Sequence, residues 1–192
     1  MGSHPRAMWV WDTSGPRATV DLAAAQGISQ LYAAVPPHVA GSPRLGQLRE
    51  LSERAAAVGV RVDALGGDPG WIDDPGWVVD SWLVPALATG LFTGVHVDLE
   101  PYTTPAWQTS RATVVEQWLA TLDLLRSAAG PTPLEADIPF WLEQVPAHGS
   151  TLDREVMRRT AGVTVMAYRH TAEGPDGTIA LAGNAVRAGA AL

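Results

Sequence analysis

Residues 94–101 read Gly-Val-His-Val-Asp-Leu-Glu-Pro, and this stretch decides the predicted fold. Side chains of a β-strand alternate between its two faces, so His96, Asp98 and Glu100 project to one side and the apolar residues between them to the other. In a barrel the apolar set meets the helix layer, and the polar set points inward and climbs toward the open rim. We therefore predict that residues 91–100 form the fourth strand of such a wall.

The rest of the chain alternates short apolar runs with amphipathic stretches. Predicted strands cover residues 8–12, 28–35, 60–65, 91–100, 134–138 and 163–168. Helices are predicted at residues 22–26, 43–58, 75–90, 105–130, 151–159 and 178–192. Strict alternation of strand and helix implies a parallel sheet with helices outside it. An open doubly wound sheet and a (β/α)8 barrel both satisfy this pattern, but the glycine-rich dinucleotide fingerprint of the former is absent after strand one.

Polar residues mark the carboxyl ends of most predicted strands. Such ends are polar in many proteins simply because they meet solvent, but barrel enzymes also build their active sites there. Five of the six strands end in a carboxylate or a Tyr-Arg pair, which favours the functional explanation. We predict an α/β fold of the (β/α)8 TIM-barrel type, truncated to about six β-α units. The residues concerned are Asp12, Asp68, Asp98, Glu100, Asp137, Tyr168 and Arg169.

The two chain ends bear on domain organisation. Met1-Gly2-Ser3-His4 resembles the scar of an expression vector, so residues 1–7 are assigned to a leader or tag and residues 8–192 to a single barrel domain. The chain stops inside an Ala-rich stretch of helical character, and we expect the C-terminal strands of the barrel to be missing. An open wall exposes a strand edge that invites self-association. It also leaves the pocket open beside strand six, so we expect any catalysis there to be weak in this chain alone.

Composition limits the classes of partner and compartment. The 192 residues are 46% hydrophobic, which suffices for a core, and the net charge is -7. This sign argues against nucleic acid, because phosphate binding depends on Lys and Arg. No apolar run approaches the roughly 18 residues of a spanning helix, and the absence of Cys excludes disulfides and thiolate zinc sites. A signal peptide removed before Pro5 would place the protein outside the cytoplasm, and we favour that location over a cytoplasmic one.

The spacing of Asp98 and Glu100 suits acid–base chemistry. Side chains two residues apart on a strand lie about 7 Å apart. Two carboxylates that close cannot both ionise freely, so one pKa should rise. Glu100, nearest the rim, is the natural proton donor, and Asp98 is the partner that holds it. Cleavage of a glycosidic bond requires such an acid, kept protonated near neutral pH.

Three other interpretations of these acids stay open. A buried polar stack could satisfy itself structurally, without any chemistry. The polar side chains of strand four, with His170, could ligate a metal, but no H-x-H or H-E-x-x-H pair is present, and we expect neither metal nor cofactor. Asp137 could act as base or nucleophile opposite Glu100, and the separation of the two carboxyls would then decide between retention and inversion.

Tryptophan is unusually frequent among the aromatic residues, with 8 Trp in the chain. Trp11, Trp71 and Trp141 lie beside predicted strand ends, where flat apolar rings can stack on sugar faces. Ordinary packing under loops is the alternative for each of them. The residues expected in the core, because they lie on predicted helices, are Trp77, Trp82, Trp107 and Trp118.

Strand four resembles the D-x-x-D-x-D-x-E motif of the chitinase-like glycoside hydrolases, which are (β/α)8 barrels. Asp98 and Glu100 match the third Asp and the catalytic Glu. Thr93 and His96 stand where the motif has its first two acids. The resemblance covers residues 8 to about 170, and the chain is also similar to bacterial glycosidase-like barrels.

Two other predicted strands carry signatures of the same family. Residues 64–67, Ala-Leu-Gly-Gly, resemble the S-x-G-G motif after strand three. Residues 166–169, Met-Ala-Tyr-Arg, resemble the M-x-Y-D motif on strand six, with Arg169 in place of the Asp. The three motifs occur in the order in which the family has them.

The resemblance implies a substrate-assisted glycoside hydrolase that acts on a carbohydrate or a related small molecule. Glu100 would be the general acid, Asp98 would orient the acetamido group that supplies the nucleophile, and Tyr168 would help to place that group. The changes at His96 and Arg169 make the pocket more tolerant of anions, so an amino-sugar polymer is not assured as the substrate. The residues expected to bind substrate are Trp11, Asp12, Asp68, His96, Tyr102, Asp137, Trp141 and Arg169.

Two alternative functions belong to other classes. In a non-catalytic carbohydrate-binding barrel, the changes at His96 and Arg169 would mark lost chemistry. A metal-dependent hydrolase of another bond is the third candidate. Release of new reducing ends from a glycan would distinguish a glycoside hydrolase from the non-catalytic carbohydrate-binding barrel, because only the hydrolase produces them.

Overall fold

The computed structural model describes residues 6–191. Strands and helices alternate along most of this range. The strands are β1 (Ala7–Val10), β2 (Gln30–Ala34), β3 (Arg61–Gly66), β4 (Val95–Val97), β5 (Leu134–Pro139), β6 (Pro146–Ala147), β7 (Ser150–Thr151) and β8 (Gly162–Met166). The helices are α1 (Pro16–Ala25), α2 (Leu45–Ala57), α3 (Pro75–Val78), α4 (Val84–Ala88), α5 (Ala106–Thr109), α6 (Arg111–Ala129), α7 (Leu152–Met157) and α8 (Thr178–Gly189).

Six strands form one parallel sheet in the order β1-β2-β3-β4-β5-β8. Apart from the small antiparallel hairpin β6–β7, this order follows the sequence. Each strand of the sheet is separated from the next by at least one helix, as the strand–helix alternation of the sequence predicted. The fold is thus an α/β fold of the TIM-barrel type with six β-α units, which confirms the predicted fold class.

The chain divides into two compact units. The first comprises the described chain through Gly66 together with Gly76–His96 and Ala128–Pro133. The second comprises Gly67–Pro75, Val97–Ser127 and the described chain from Leu134 onward. Assignment of residues 8–192 to a single domain stays a prediction. The predicted leader lies outside the described residues except for Arg6 and Ala7, and Ala7 is the first residue of β1.

The core of the first unit is built on β1, β2 and β3, which pair in parallel. Helices α1 and α2 contact each other, and each buries one apolar stripe, with Leu48, Leu51 and Ala55 of α2 fully buried. Trp82 is buried as well, and its indole Nε1 donates a hydrogen bond to the Val35 carbonyl at 2.9 Å. A polar atom of the core is thereby satisfied, as buried donors generally are.

The core of the second unit contains buried apolar residues of α6 and of β5. One face of α6 buries Trp118, Leu122 and Leu125, and the spacing of three to four residues is that of a helical stripe. Strands β5 and β8 pair in parallel, with Asp137 opposite Thr164.

Several element boundaries differ from the sequence prediction. Helix α1 begins at Pro16 rather than at residue 22, since Pro fits the first turn of a helix. The predicted helix over residues 105–130 is interrupted at Ser110, whose φ of -145° lies outside the helical range. Pro85 lies near the N-terminus of α4, directly after the π-helical turn Val79–Leu83. A proline cannot donate the main-chain hydrogen bond, which accounts for the irregular turn before it.

Strand β4 is the largest correction, because only Val95–Val97 pair within the sheet. The backbone turns away after Leu99, and Glu100 has φ -115° and ψ 54° at the entry to a 3-10 turn, Pro101–Thr103. Pro101 lacks the N–H that a paired strand would use, so the strand could not extend past Glu100. Asp98 and Glu100 therefore lie beyond the strand rather than on it.

Within residues 6–191, no helix combines the length and the apolar character that crossing a lipid bilayer requires.

Helix α7 carries a buried carboxyl, Glu155, that accepts hydrogen bonds from two arginines. Arg159 Nη1 donates to Glu155 Oε2 at 2.8 Å, and Arg158 bonds the other oxygen. The Arg159 hydrogen bond and the two nearby positive charges lower the pKa of Glu155 below its ordinary value of 4.5. Arg159 Nε also donates to Asp123 Oδ2 at 3.0 Å, which ties α7 to α6.

We expect the free energy of unfolding to decrease as the pH is lowered, partly because Glu155 becomes protonated. A carboxyl with a lowered pKa in the folded state stabilises the fold above its unfolded pKa and loses that contribution on protonation. The loss therefore begins below about pH 5 and continues through the lowered pKa. Urea unfolding at pH 7 and pH 3 should show a smaller loss for Glu155→Gln than for the wild type. The exposed Glu53→Gln should behave as wild type, and equal losses in all three proteins would contradict this prediction.

Candidate active site

Glu100 lies just beyond β4, where the chain enters the turn Pro101–Thr103. The Tyr102 hydroxyl donates a hydrogen bond to Glu100 Oε1 at 2.5 Å. The Thr103 hydroxyl donates to the Glu100 main-chain carbonyl at 2.7 Å. Side chain and backbone of Glu100 are thus both held by residues of the same short turn, and the carboxyl has a defined orientation.

Tyr102 is itself fixed by tryptophans. Its ring centroid lies 5.1 Å from that of Trp141, 6.2 Å from Trp118 and 6.3 Å from Trp107. Trp107 and Trp118 are buried, as predicted, whereas Trp141 is half-buried. Aromatic pairs in edge-to-face geometry stabilise a structure beyond the contribution of the surface area they bury, and they favour particular ring orientations. The sequence predicted Tyr102 and Trp141 as sugar-binding residues, and the structure places them together beside Glu100.

Burial, followed by the hydrogen bond to Glu100 and the charges of neighbouring carboxylates, raises the pKa of Tyr102 well above 10. The phenol therefore stays protonated at any working pH. It can serve as a permanent donor to Glu100 Oε1, which leaves Oε2 as the oxygen that can carry and transfer a proton.

Tyr102→Phe should lower the free energy of unfolding by about 1 kcal/mol, the usual net contribution of an intramolecular hydrogen bond. The ring contacts with the tryptophans survive in Phe, so the loss isolates the bond to Glu100. Urea unfolding followed by tryptophan fluorescence measures the difference. In a Glu100→Ala background, which removes the acceptor, the same change should cost less, and equal costs in both backgrounds would show that the bond contributes nothing.

Asp98 is positioned by an unusually close backbone contact with Gly67. A Cβ atom at Gly67 would lie 2.6 Å from the Asp98 carbonyl carbon and closer still to its oxygen. Only glycine permits this approach. The contact gives a structural reason for the second glycine of residues 64–67, and it joins two of the motifs found in the sequence.

Two further predicted residues, Asp137 and Tyr168, join Asp98 and Glu100 electrostatically. Asp137 lies on β5 and is only 2% exposed, whereas Tyr168 follows β8 and is 68% exposed. Partial burial, followed by the charges of Asp137, Asp98 and Glu100, raises the pKa of Tyr168. The same three carboxylates act on Tyr102. The charges of three acids thus act on two phenols, and we call these five residues the acid cluster: Asp98, Glu100, Tyr102, Asp137 and Tyr168.

Arg169 lies directly after this cluster in the chain. Its guanidinium carbon lies 5.0 Å from the centre of the Phe140 ring, and its Nη1 donates to the Tyr168 carbonyl at 2.8 Å. The side chain is exposed and forms no ion pair with any residue in the range 6–191. Sequence reasoning missed Phe140, although its place between the end of β5 and Trp141 was a usable signal.

His96 is fully buried, with 0% exposure, in the first unit. Its imidazole stacks on the Tyr32 ring at 3.7 Å between centroids and meets the edge of Trp9 at 6.4 Å. Its surroundings are those of a packed aromatic residue, and a role in substrate binding stays a prediction.

The remaining predicted residues lie on turns. Trp11 is 56% exposed. Asp12 Oδ1 accepts a hydrogen bond from the Ser14 N–H at 2.9 Å, and this bond lowers the pKa of Asp12. Asp68 Oδ1 accepts from the Gly70 N–H at 2.7 Å and caps the 3-10 turn Pro69–Ile72. Both carboxylates thus shape their own loops, and their contact with a ligand stays a prediction.

No group of three His, Asp or Glu side chains in the described part of the chain is arranged to hold a metal ion. The polar groups of the acid cluster are carboxyls and phenols, which suit proton transfer and hydrogen bonding to hydroxyls.

No protein-family model matches the sequence, and no curated protein sequence matches it. Solved structures do match. A mutant GH18 chitinase from Cycas revoluta, in complex with (GlcNAc)4, superposes with a TM-score of 0.70 and 15% identity over 97% of this chain and 65% of that one. A mutant class V chitinase from Nicotiana tobaccum with NAG4 gives a TM-score of 0.59 and 13% identity over 96% of this chain and 63% of that one.

A bacterial chitinase, from Chromobacterium violaceum, gives a TM-score of 0.59 and 14% identity over 88% of this chain and 57% of that one. The chain therefore spans somewhat less than two thirds of the length of these chitinases. At such identities the agreement concerns the fold, and function has to be argued from the site. The protein has the TIM-barrel fold of the GH18 chitinases, as the three sequence motifs had indicated.

Proposed function

We propose that the protein is a glycoside hydrolase-like barrel that binds a glycan and cleaves it with Glu100 as the general acid. The observation that carries the proposal is the acid cluster, in which Glu100 is oriented by Tyr102 and accompanied by Asp98, Asp137 and Tyr168. Its fold is shared with chitinases solved in complex with GlcNAc oligomers. Fold and cluster together favour an oligosaccharide over other ligands.

The proposed proton donor is Glu100 Oε2, since Oε1 accepts the Tyr102 hydrogen bond. Proton transfer to the glycosidic oxygen would weaken the bond to the leaving sugar. Asp98, held by the Gly67 contact, would orient the acetamido group of the substrate, which would supply the nucleophile. Tyr168, exposed beside these acids, would hydrogen-bond to the same group. Asp137 is nearly inaccessible, so it would act through its charge on Tyr168 rather than as a base.

A non-catalytic carbohydrate-binding barrel is the second candidate. The replacement of two acids of the chitinase-like motifs by His96 and Arg169 favours it. In this alternative the same residues would bind a glycan without cleaving it. The expected self-association through an open strand edge is independent of both candidates and stays a prediction.

Incubation with (GlcNAc)4, followed by detection of new reducing ends and by titration calorimetry, separates the candidates. New reducing ends support a hydrolase. Heat of binding without new reducing ends supports the carbohydrate-binding alternative. Absence of both across (GlcNAc)4 and a panel of other β-linked oligosaccharides would overturn the proposal.

A further inference from the structure

Arg169 lies at the margin of the acid cluster as an exposed cation whose orientation is fixed. Its guanidinium lies over the Phe140 ring, and one of its N–H groups is bonded to the Tyr168 carbonyl. An arginine stacked on a ring presents the edge of its plane, with the remaining N–H donors, to whatever lies beside it. The Arg169 side chain is therefore ordered in advance of any ligand.

Two residues that contact Arg169, Tyr168 and Phe140, link it to the candidate acid Glu100. Tyr168, its neighbour in the chain, carries a phenol on which the charge of Glu100 acts. Phe140, beneath the guanidinium, precedes Trp141, which contacts Tyr102, the hydrogen-bond donor to Glu100. Arg169 thus adjoins the acid cluster through its chain neighbour Tyr168 and through Phe140, the chain neighbour of Trp141.

Three other arginines of this unit form ion pairs with carboxylates, unlike Arg169. Arg126 and Arg159 pair with Asp123, and Arg158 pairs with Glu155. Arg169 makes no such pair within residues 6–191, in a protein whose net charge is -7. An ordered guanidinium that lacks a carboxylate partner is a ready site for an oxyanion, which it can bind through two parallel hydrogen bonds.

We propose that the glycan bound at this site carries an acidic group, a carboxylate or a sulfate ester, on the sugar beside Tyr168, and that Arg169 binds it. This inference rests on the proposed function, because it specifies the substrate class of the same site. The three carboxylates of the acid cluster would repel an anion placed at Glu100. Arg169 therefore admits the charge at one position only, and a polymer charged on every residue should bind less well than one charged at that position.

The test compares (GlcNAc)4 with the same tetramer bearing a C6 carboxylate or a 6-O-sulfate at a single residue, each titrated calorimetrically against the protein. We expect at least one acidic tetramer to bind about tenfold more tightly than the neutral one, as a single charge-assisted pair allows. The ratio should shrink as salt is raised, since the site is exposed to solvent. Comparison of the carboxylate and the sulfate identifies which oxyanion is preferred.

Arg169→Gln should reduce the ratio of the two affinities toward one, and Arg169→Lys should retain only part of it because a lysine lacks the planar fork. Arg111→Gln is the matched control, since Arg111 also lies over a ring, that of Trp107 at 5.2 Å, and should keep the wild-type ratio. Thermal melting confirms that each variant is folded.

Binding of (GlcNAc)4 without preference for any acidic tetramer would overturn the inference and leave the proposed function standing. A preference that survives in Arg169→Gln would also overturn it. If no tetramer binds, neutral or acidic, the inference is overturned, and the proposed function is then decided by the wider panel of oligosaccharides.

Discussion

Glu100→Gln should lower the rate of glycan hydrolysis at least about 100-fold, the lower end of what a positioned general acid contributes. Gln has the shape of Glu but no transferable proton. Its side chain can still accept the Tyr102 hydrogen bond, so the turn Pro101–Thr103 and the aromatic contacts around it should be unchanged. The expected result is loss of turnover with retained fold and retained ligand binding.

The measurement is release of reducing ends from (GlcNAc)4 over long incubations, with calorimetry and thermal melting on the same samples. Glu50→Gln is the matched control, because Glu50 lies on α2 in the first unit and pairs with the exposed Arg54. Hydrolysis at the wild-type rate by Glu100→Gln would show that Glu100 is not the acid. Unchanged binding together with no hydrolysis by either protein would support the carbohydrate-binding alternative.

Gly67→Ala should destabilise the protein by about 1–3 kcal/mol or more, the range seen when a packed site is overfilled. The new methyl group would meet the main chain of Asp98, and a backbone cannot rotate out of the way as a side chain can. Either Gly67 or the segment 98–100 has to move. We therefore expect a second effect, weaker glycan binding, because the displaced segment carries Asp98 and Glu100.

Urea unfolding measures the first effect, and calorimetry on the folded variant measures the second. Gly46→Ala is a control that should change the free energy of unfolding in the opposite direction. Gly46 lies inside α2 with open space where a Cβ would be, so alanine should stabilise by about 0.5–1 kcal/mol. If Gly67→Ala is as stable as the wild type, the close approach between Gly67 and Asp98 is not a feature of the folded protein.

The residues of the acid cluster could be predicted from the sequence, because each lies in a short segment with a recognisable local pattern. Alternation of polar and apolar residues in 94–101 identified Asp98 and Glu100, and the position of Tyr168 after an apolar run identified it as a strand-end residue. The hydrogen bond between Tyr102 and Glu100 was not predicted. It depends on the turn that replaces the end of the predicted strand, and Pro101 was the one local signal for that turn.

Burial of the tryptophans shows the same limit. Trp82, Trp107 and Trp118 are buried as predicted, whereas Trp77 is 42% exposed and its assignment to the core was wrong. Helical spacing predicts which residues share a face of a helix but not which face packs against the core. The π-helical turn Val79–Leu83 also rotates the following residues relative to a regular α-helix. The hairpin β6–β7 was also missed, since its two-residue strands are too short to show a period.

The sequence by itself determined the strand–helix alternation, the order of the strands and the identity of the candidate acid, because these follow from periodicity, from turn-forming residues and from motifs contained in short segments. Only the tertiary structure decided which side chains meet. Gly67 against Asp98 and Arg169 over Phe140 are contacts between residues far apart in the sequence, whose backbones come together after the strands. Such convergence depends on the packing of whole elements, which no local pattern records, and it is this packing that makes a site of separate polar strand ends.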